Sequence, residues 1–432
     1  MAFSNGYDGS MMNGLQTLAY WQDHFHHPSA ATLGLLNAIF SVGQVVGLPF
    51  VPLLADGIGR KWTILLGSSL IFLGVILQTV STTIGMFIAA RFIIGLGICY
   101  TQSCSPMLIT ELSHPQYRGK LTTIYKTLWY SGSIVAAWTT YGTLKMESQW
   151  SWKTPSVLQS FPSVIQLFLI CLVPESRKTF ERFHAPSSGQ EFVDAEYQEV
   201  LETMALENAG FFSHTAGAGI VSYYIFLVLS QIGITDSKDQ LVLNGCLTIF
   251  NSAIAGGMAF TIDWIGRRPL FLTATFEMCL AMTGWTIASQ QYSVTGITAG
   301  GRAVIALIFV FMFFYNLAWS GLLWYLTVTL LAVAAGSFFT NYVNPVALEK
   351  IIWKYYLCYI IWLAFQSVVV WWKYVETKGR SLEAVAICFD GDDAKLGAAG
   401  ATGKGKELLD VLHTDGALGK GGIELQLEHA KV

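Results

Sequence analysis

Residues 56–61 read Asp-Gly-Ile-Gly-Arg-Lys, and residues 263–268 read Asp-Trp-Ile-Gly-Arg-Arg. Each hexapeptide closes one long apolar stretch and opens the next. The Asp stands where the first stretch ends, the Gly permits a tight turn, and the basic pair suits the membrane face where positive charge collects. A topology signal alone would need only the basic pairs. Recurrence of Asp, Gly and both cations, after the second stretch and again after the eighth, predicts a chain built from two related halves.

Composition supports a membrane setting. The 432 residues are 53% hydrophobic and only 12% charged, about half the charge of an average soluble domain. A soluble enzyme of this length lacks the polar surface it would need, and the same figures exclude disordered, collagenous and disulfide-scaffold classes. Lys plus Arg total 25 against 28 Asp plus Glu, too balanced for a nucleic-acid binder. Of seven cysteines, Cys99, Cys104, Cys171, Cys246, Cys279 and Cys358 fall in apolar stretches and none has metal spacing. No disulfide framework, metal or cofactor is expected. The opening MAFSNGYDGSMMNG lacks a basic n-region and a cleavage site, so it does not read as a signal peptide. No G-x-S-x-G or H-E-x-x-H occurs, and GAAGATGKG in the tail has the wrong spacing for a phosphate loop. The chain is not expected to be an enzyme.

A bilayer-crossing helix needs about 20 apolar residues. Such windows lie at 1–21 (short and polar at its start), 33–55, 62–80, 84–110, 121–144 and 154–173. Six more follow at 211–233, 240–262, 269–289, 301–323, 325–347 and 351–374. The fold class is therefore all-α membrane protein, with a six-helix bundle over 1–173, a polar connector over 174–209 and a second bundle over 210–380. The segment 381–432, rich in Gly and charge without periodicity, reads as a disordered tail. Loop charge orients the spans: Arg60, Lys61, Arg118, Lys120, Arg177, Lys178, Arg182, Arg267, Arg268, Lys373, Lys378 and Arg380 share one side. Only Lys145, Lys153, Lys238, Lys350 and Lys354 fall on the other. Both termini are expected in the cytoplasm.

Further motifs sharpen this reading. Glu111 precedes Arg118-Gly119, Pro174-Glu175-Ser176 follows the sixth window, and Glu376-Thr377-Lys378-Gly379-Arg380 follows the twelfth. With FMFFYNLAWSGLL (311–323) and NYVNPVALEK (341–350), the chain resembles the major facilitator superfamily. Within it the likeness is to the sugar porters of the fungal lactose permease and hexose transporter kind. That resemblance implies twelve helices in two pseudo-symmetric bundles, with the first span truncated here. It implies a monomer in the plasma membrane that moves a hexose or a disaccharide such as lactose by proton symport with alternating access. It also implies cytoplasmic latches formed by Asp56, Gly59, Arg60, Lys61, Glu111, Arg118, Gly119, Glu175, Asp263, Gly266, Arg267, Arg268 and Glu376. One latch is missing: 321–336 runs without a charge where the family has a second Glu…Arg-Gly motif.

Ionisable residues at membrane depth are functional candidates by default. Asp8 lies in GYDGS of the first span, where the resemblance places a proton acceptor, and Arg91 in the fourth span is its implied partner. A carboxylate among apolar helices is pushed toward its neutral form by burial and toward its charged form by a nearby cation. The competing readings are a helix-start cap for Asp8 and an Arg91 that snorkels to the interface. For substrate contact the resemblance points to Lys126, His214, Asn251, Trp319, Asn341 and Asn344, since neutral amides both donate and accept toward hydroxyls. Interhelical hydrogen bonding is the plainer role for the three Asn residues. Lys126 stands where the family has an amide, and an unpaired ammonium there needs a carboxylate, Asp8 or Glu277, or one on the solute. The expected function is sugar transport, with sugar, protons and lipid as partners. The alternatives are a solute-sensing receptor, a transport-impaired relative, or a porter for an acidic sugar-like solute.

Overall fold

The computed structural model describes residues 2–113, 118–172, 215–265, 267–319 and 327–373. Each of the twelve apolar windows holds helix. The N-terminal half comprises α1 (Ala2–Leu15), α2 (Ala19–His24), α3 (Ala30–Gly47), α4 (Phe50–Gly57), α5 (Arg60–Val80), α6 (Ile84–Leu112), α7 (Arg118–Thr143), α8 (Trp150–Leu158) and α9 (Phe161–Leu172). The C-terminal half comprises α10 (Ala218–Gln231), α11 (Ser237–Ile265), α12 (Arg267–Thr295), α13 (Thr298–Ala318), α14 (Thr327–Ile351) and α15 (Tyr355–Lys373). Among the described residues, seven helical stretches are long and apolar enough to cross a membrane.

Three windows break into two helices, and prolines account for two of the breaks. Pro49 separates α3 from α4, and Pro162 sits in the first turn of α9, where its missing N–H costs nothing. Helix starts carry side-chain caps: Ser29 accepts from the Thr32 amide and Thr83 from that of Met86, each at 3.3 Å. Gly59 takes φ 93° between α4 and α5, a left-handed turn that explains why the repeated motif carries glycine there. Inside the helices, Ser and Thr hydroxyls return to the preceding turn, as Ser68 does to the Ile64 carbonyl at 2.8 Å. That keeps polar groups satisfied without water.

Helices pack both within each half and across the halves. Within the N-terminal half α5 lies along α6, α3 along α6, and α1 along α7; within the C-terminal half α12 packs on α13 and α15. The α1–α7 contact is backbone on backbone. A Cβ on Gly6 would stand 1.8 Å from the Trp129 carbonyl oxygen, and one on Gly132 2.0 Å from that of Phe3. Three pairs join the halves: α3 with α14, α7 with α11, and α1 with α10. These joints concentrate at the helix ends opposite the two repeated motifs. There Asn13 Nδ2 donates to Asn244 Oδ1 at 3.3 Å, Ser237 Oγ to the Thr17 carbonyl at 2.9 Å, and Gly34 packs on the Tyr342 backbone. Contacts between the halves thus join this end. Large apolar side chains such as Phe168, Leu172, Ile361 and Trp372 remain exposed, the surface a lipid-facing bundle requires.

Residues 1–173 and 207–378 cluster as one compact unit, and the second unit, 174–206 with 379–432, lies outside the described residues. The expected connector and tail therefore lie outside the description, as does the uncharged corner at 320–326.

Candidate functional site: a buried ion pair beside a central cavity

Asp8 sits midway along α1, not at its start, so its carboxylate does not cap the helix. It is 2% exposed, and Arg91 of α6 is 1% exposed. An Nη of Arg91 donates to Asp8 Oδ1 in a direct ion pair. Arg91 is thus drawn inward instead of snorkelling to the rim. Gln159, at the C-terminal end of α8, donates to the same carboxylate oxygen at 2.6 Å. Gln78 of α5 in turn donates to Gln159 Oε1 at 3.2 Å. The Arg91 guanidinium also lies 5.0 Å from the Phe40 ring centre, a cation–π distance. The helical stripe of Arg91, Gly95 and Gln102 faces α1 and α3: Gln102 accepts from Asn5 Nδ2 at 3.0 Å, and Gly95 abuts the Phe40 carbonyl.

Beside this pair a narrow cavity, part of it open to solvent, lies between the halves. Gly9 and Ser10 of α1, Trp129, Tyr130 and Ser133 of α7, Ser222 and Tyr223 of α10, Asn244 and Asn251 of α11, and Met312 of α13 form its walls. Asp8 is adjacent in the chain to the wall residue Gly9, against which the Tyr223 ring packs. Helix α10 kinks at Tyr224, whose φ and ψ are −137° and 22°. Tyr223 thereby faces the cavity, while Tyr224 accepts from Asn37 Nδ2 at 3.0 Å and donates to the Asn341 carbonyl at 2.5 Å. That bond set ties α3, α10 and α14 together.

The predicted substrate residues fare unequally. Asn251 is in the cavity wall. Asn341 is buried and takes part through its carbonyl. Asn344 accepts from Tyr355 and Tyr359 at 2.8 and 2.7 Å, pairing α14 with α15 as an interhelical contact does. Trp319 is buried edge-on against Phe271 with ring centres 5.1 Å apart. His214 lies outside the described residues, as does the side chain of Lys126 on α7. Glu277 of α12 is half-buried on a helix face shared with exposed Phe276 and Leu280.

Among the motif residues, Arg60 reaches the Ala55 carbonyl at 3.2 Å, Lys61 that of Cys171 at 2.9 Å, and Arg268 that of Trp371 at 3.0 Å. Gly119 lies within α7. The side chains of Asp56, Glu111, Arg118, Asp263 and Arg267 lie outside the described residues, as do Glu175, Gly266 and Glu376 entirely.

Sequence reading missed Gln78, Gln159 and Asn316. Asn316 of α13 is fully buried: it accepts from Tyr130 Oη and donates to Asn251 Oδ1 at 2.9 Å and the Met312 carbonyl at 2.7 Å. The signal was available, since an Asn in the midst of FMFFYNLAW is costly unless paired.

A family model described as sugar (and other) transporter matches residues 1–184 and 198–389. The chain belongs to the sugar transporter family. This transporter is 22% identical to the high-affinity glucose transporter of Kluyveromyces lactis, over 88% of this chain and 81% of that one. It is 23% identical to the quinate permease of Emericella nidulans, over 97% and 92%. Its fold matches the inward-open structure of the xylose transporter XylE from E. coli with a TM-score of 0.72 at 18% identity, covering 89% and 96%. The sugar porter assignment and the all-α, two-bundle membrane fold stand. The protein is a multi-pass transporter and not an enzyme.

Proposed function

We propose that this transporter carries a hexose or disaccharide, lactose included, across the plasma membrane together with a proton, with Asp8 as the proton-carrying group and Arg91 as its counter-charge. The reading holds it to be a monomer with both termini in the cytoplasm, working by alternating access. The observation that carries it is the placement of Asp8. The carboxylate is buried against one cation and one amide, one residue from the cavity wall. Solute in the cavity and proton on Asp8 therefore act on the same segment of α1. The cavity wall itself is rich in hydroxyls and amides, which suits a polyol. Energetically the coupling suffices: one proton crossing about 100 mV contributes ~2.3 kcal/mol and one pH unit ~1.4 kcal/mol. Together these sustain a gradient of several hundredfold. Uptake and exchange by cells lacking other hexose carriers test it. Asp8→Asn is expected to abolish uphill accumulation of labelled sugar while leaving exchange, and accumulation at the unaltered level would remove Asp8 from the mechanism.

A second reading is favoured by one residue. Lys126 lies on α7, one turn from the wall residues Trp129 and Tyr130 and two turns from Ser133, and a cation there suits a hydroxylated carboxylate. The relative named as a quinate permease is of that substrate kind. Lys126→Asn is expected to weaken quinate binding and strengthen that of neutral hexoses; unchanged affinities for both would place Lys126 outside recognition.

A further inference from the structure

The amide of Asn251 has two faces, a carbonyl oxygen and an N–H₂ group, and a hydroxylated solute can meet either. In this structure one is already engaged. Asn316 Nδ2 donates to Asn251 Oδ1 at 2.9 Å. Asn251 lines the cavity, and its Nδ2 has no partner among the described residues. Asn316 is itself locked. Its second N–H goes to the Met312 carbonyl at 2.7 Å, and its oxygen accepts from Tyr130 across the two halves. The amide has 0% exposure, so no water competes for these bonds. Reversing it would set its oxygen against the Met312 carbonyl and leave both acceptors facing one another, at the cost of a buried unsatisfied group.

We infer that Asn316 is a positioning residue that fixes the Asn251 amide with its N–H₂ toward the cavity, so that this position reads an acceptor on the solute. The inference rests on the sugar-transport reading and narrows it: one ring position of the substrate is recognised by its oxygen lone pair, not by its hydrogen. Among the other wall residues, Ser10 and Ser222 carry hydroxyls that rotate to donate or accept, while Asn244 is held separately, its oxygen accepting from Asn13 Nδ2 at 3.3 Å. Polarity at Asn251 is therefore set one step behind the wall, by a residue that touches no solute.

Replacing one solute hydroxyl by fluorine keeps an acceptor and removes a donor; replacing it by hydrogen removes both. Equilibrium binding of the purified full-length chain is measured against glucose and its complete sets of monodeoxy and monodeoxyfluoro derivatives. At one ring position the fluoro compound is expected to bind about fivefold more tightly than the deoxy compound, the worth of one neutral hydrogen bond. In Asn316→Leu that ratio is expected to fall toward one, because the Asn251 amide is free to turn. In Asn316→Asp the ratio becomes pH-dependent. The ionised carboxylate accepts from Asn251 Nδ2 and turns its oxygen toward the solute, abolishing the fluoro advantage. The protonated carboxyl donates as Asn316 does and restores it at acid pH. The unsubstituted chain measured at the same pH values is the control for the other ionisable groups around the site, Asp8, Arg91, Tyr130 and Tyr223. A chain that binds hexoses but shows no position where fluorine outperforms hydrogen overturns the inference alone. So does a pair of variants that keep the ratio while binding everything more weakly. Absence of hexose binding altogether overturns the sugar reading and the inference with it.

Discussion

Removing the Arg91 cation tests whether the buried pair is held by mutual charge. In Arg91→Met the side chain keeps its apolar length, but Asp8, 2% exposed, is left with Gln159 as its remaining donor. Breaking a buried pair by deleting one partner costs about 3–5 kcal/mol, most of it the uncompensated charge. Loss of the contact over Phe40 adds up to about 2 kcal/mol for a desolvated site. Asp8→Asn removes the charge from the other side and strands the guanidinium. The double variant strands neither, so its loss is expected to be smaller than the sum of the two single losses by at least about 2 kcal/mol. Thermal unfolding of the four proteins in detergent reads the cycle. Additive losses would refute the reasoning.

Two further substitutions probe the packing and the joined end. Gly6→Ala places a methyl group 1.8 Å from the Trp129 carbonyl, so α1 and α7 must part, with a loss of at least about 1–3 kcal/mol in thermal unfolding. Gly85→Ala, with open space around it, is expected to leave stability unchanged. Tyr224→Phe removes the bonds to Asn37 and to the Asn341 carbonyl that help join the halves. Loss of about 1–3 kcal/mol from the closed state should make a cysteine introduced at Ser222 react at least about fivefold faster with a reagent added from that side. An unchanged rate would show that these bonds do not hold the gate.

The broad plan was legible because the signals behind it are long or repeated. Twelve apolar windows, two DxxGR motifs and the asymmetry of basic loops each stand on many residues, and every window holds helix among the described residues. What sequence did not yield was how polar side chains choose partners across helices. The pairing of Asp8 with Arg91, 83 positions apart, was implied by the family resemblance, but only the fold shows that Gln159 donates to the same carboxylate oxygen. Asn344 and Asn251 look alike as isolated amides in apolar helices, yet one pairs with tyrosines of the next helix and the other lines the cavity. Breaks inside windows were missed for a local reason: Pro49 and Pro162 interrupt the backbone without lowering hydropathy. Asn316 escaped notice because its neighbours in FMFFYNLAW make that stretch read as plain span.

Coupling of sugar to proton movement is the central claim, and it is measured most directly as sugar-driven proton flux. The purified chain is reconstituted into vesicles that hold a pH-sensitive dye, with no pH gradient imposed at the start. An inward hexose gradient is then applied, and internal pH is followed alongside labelled sugar. The account predicts internal acidification in step with sugar entry in the unsubstituted protein. In Asp8→Asn it predicts sugar entry down its gradient with no acidification. Sugar entry without proton movement in the unsubstituted protein, or unaltered acidification in Asp8→Asn, would contradict it.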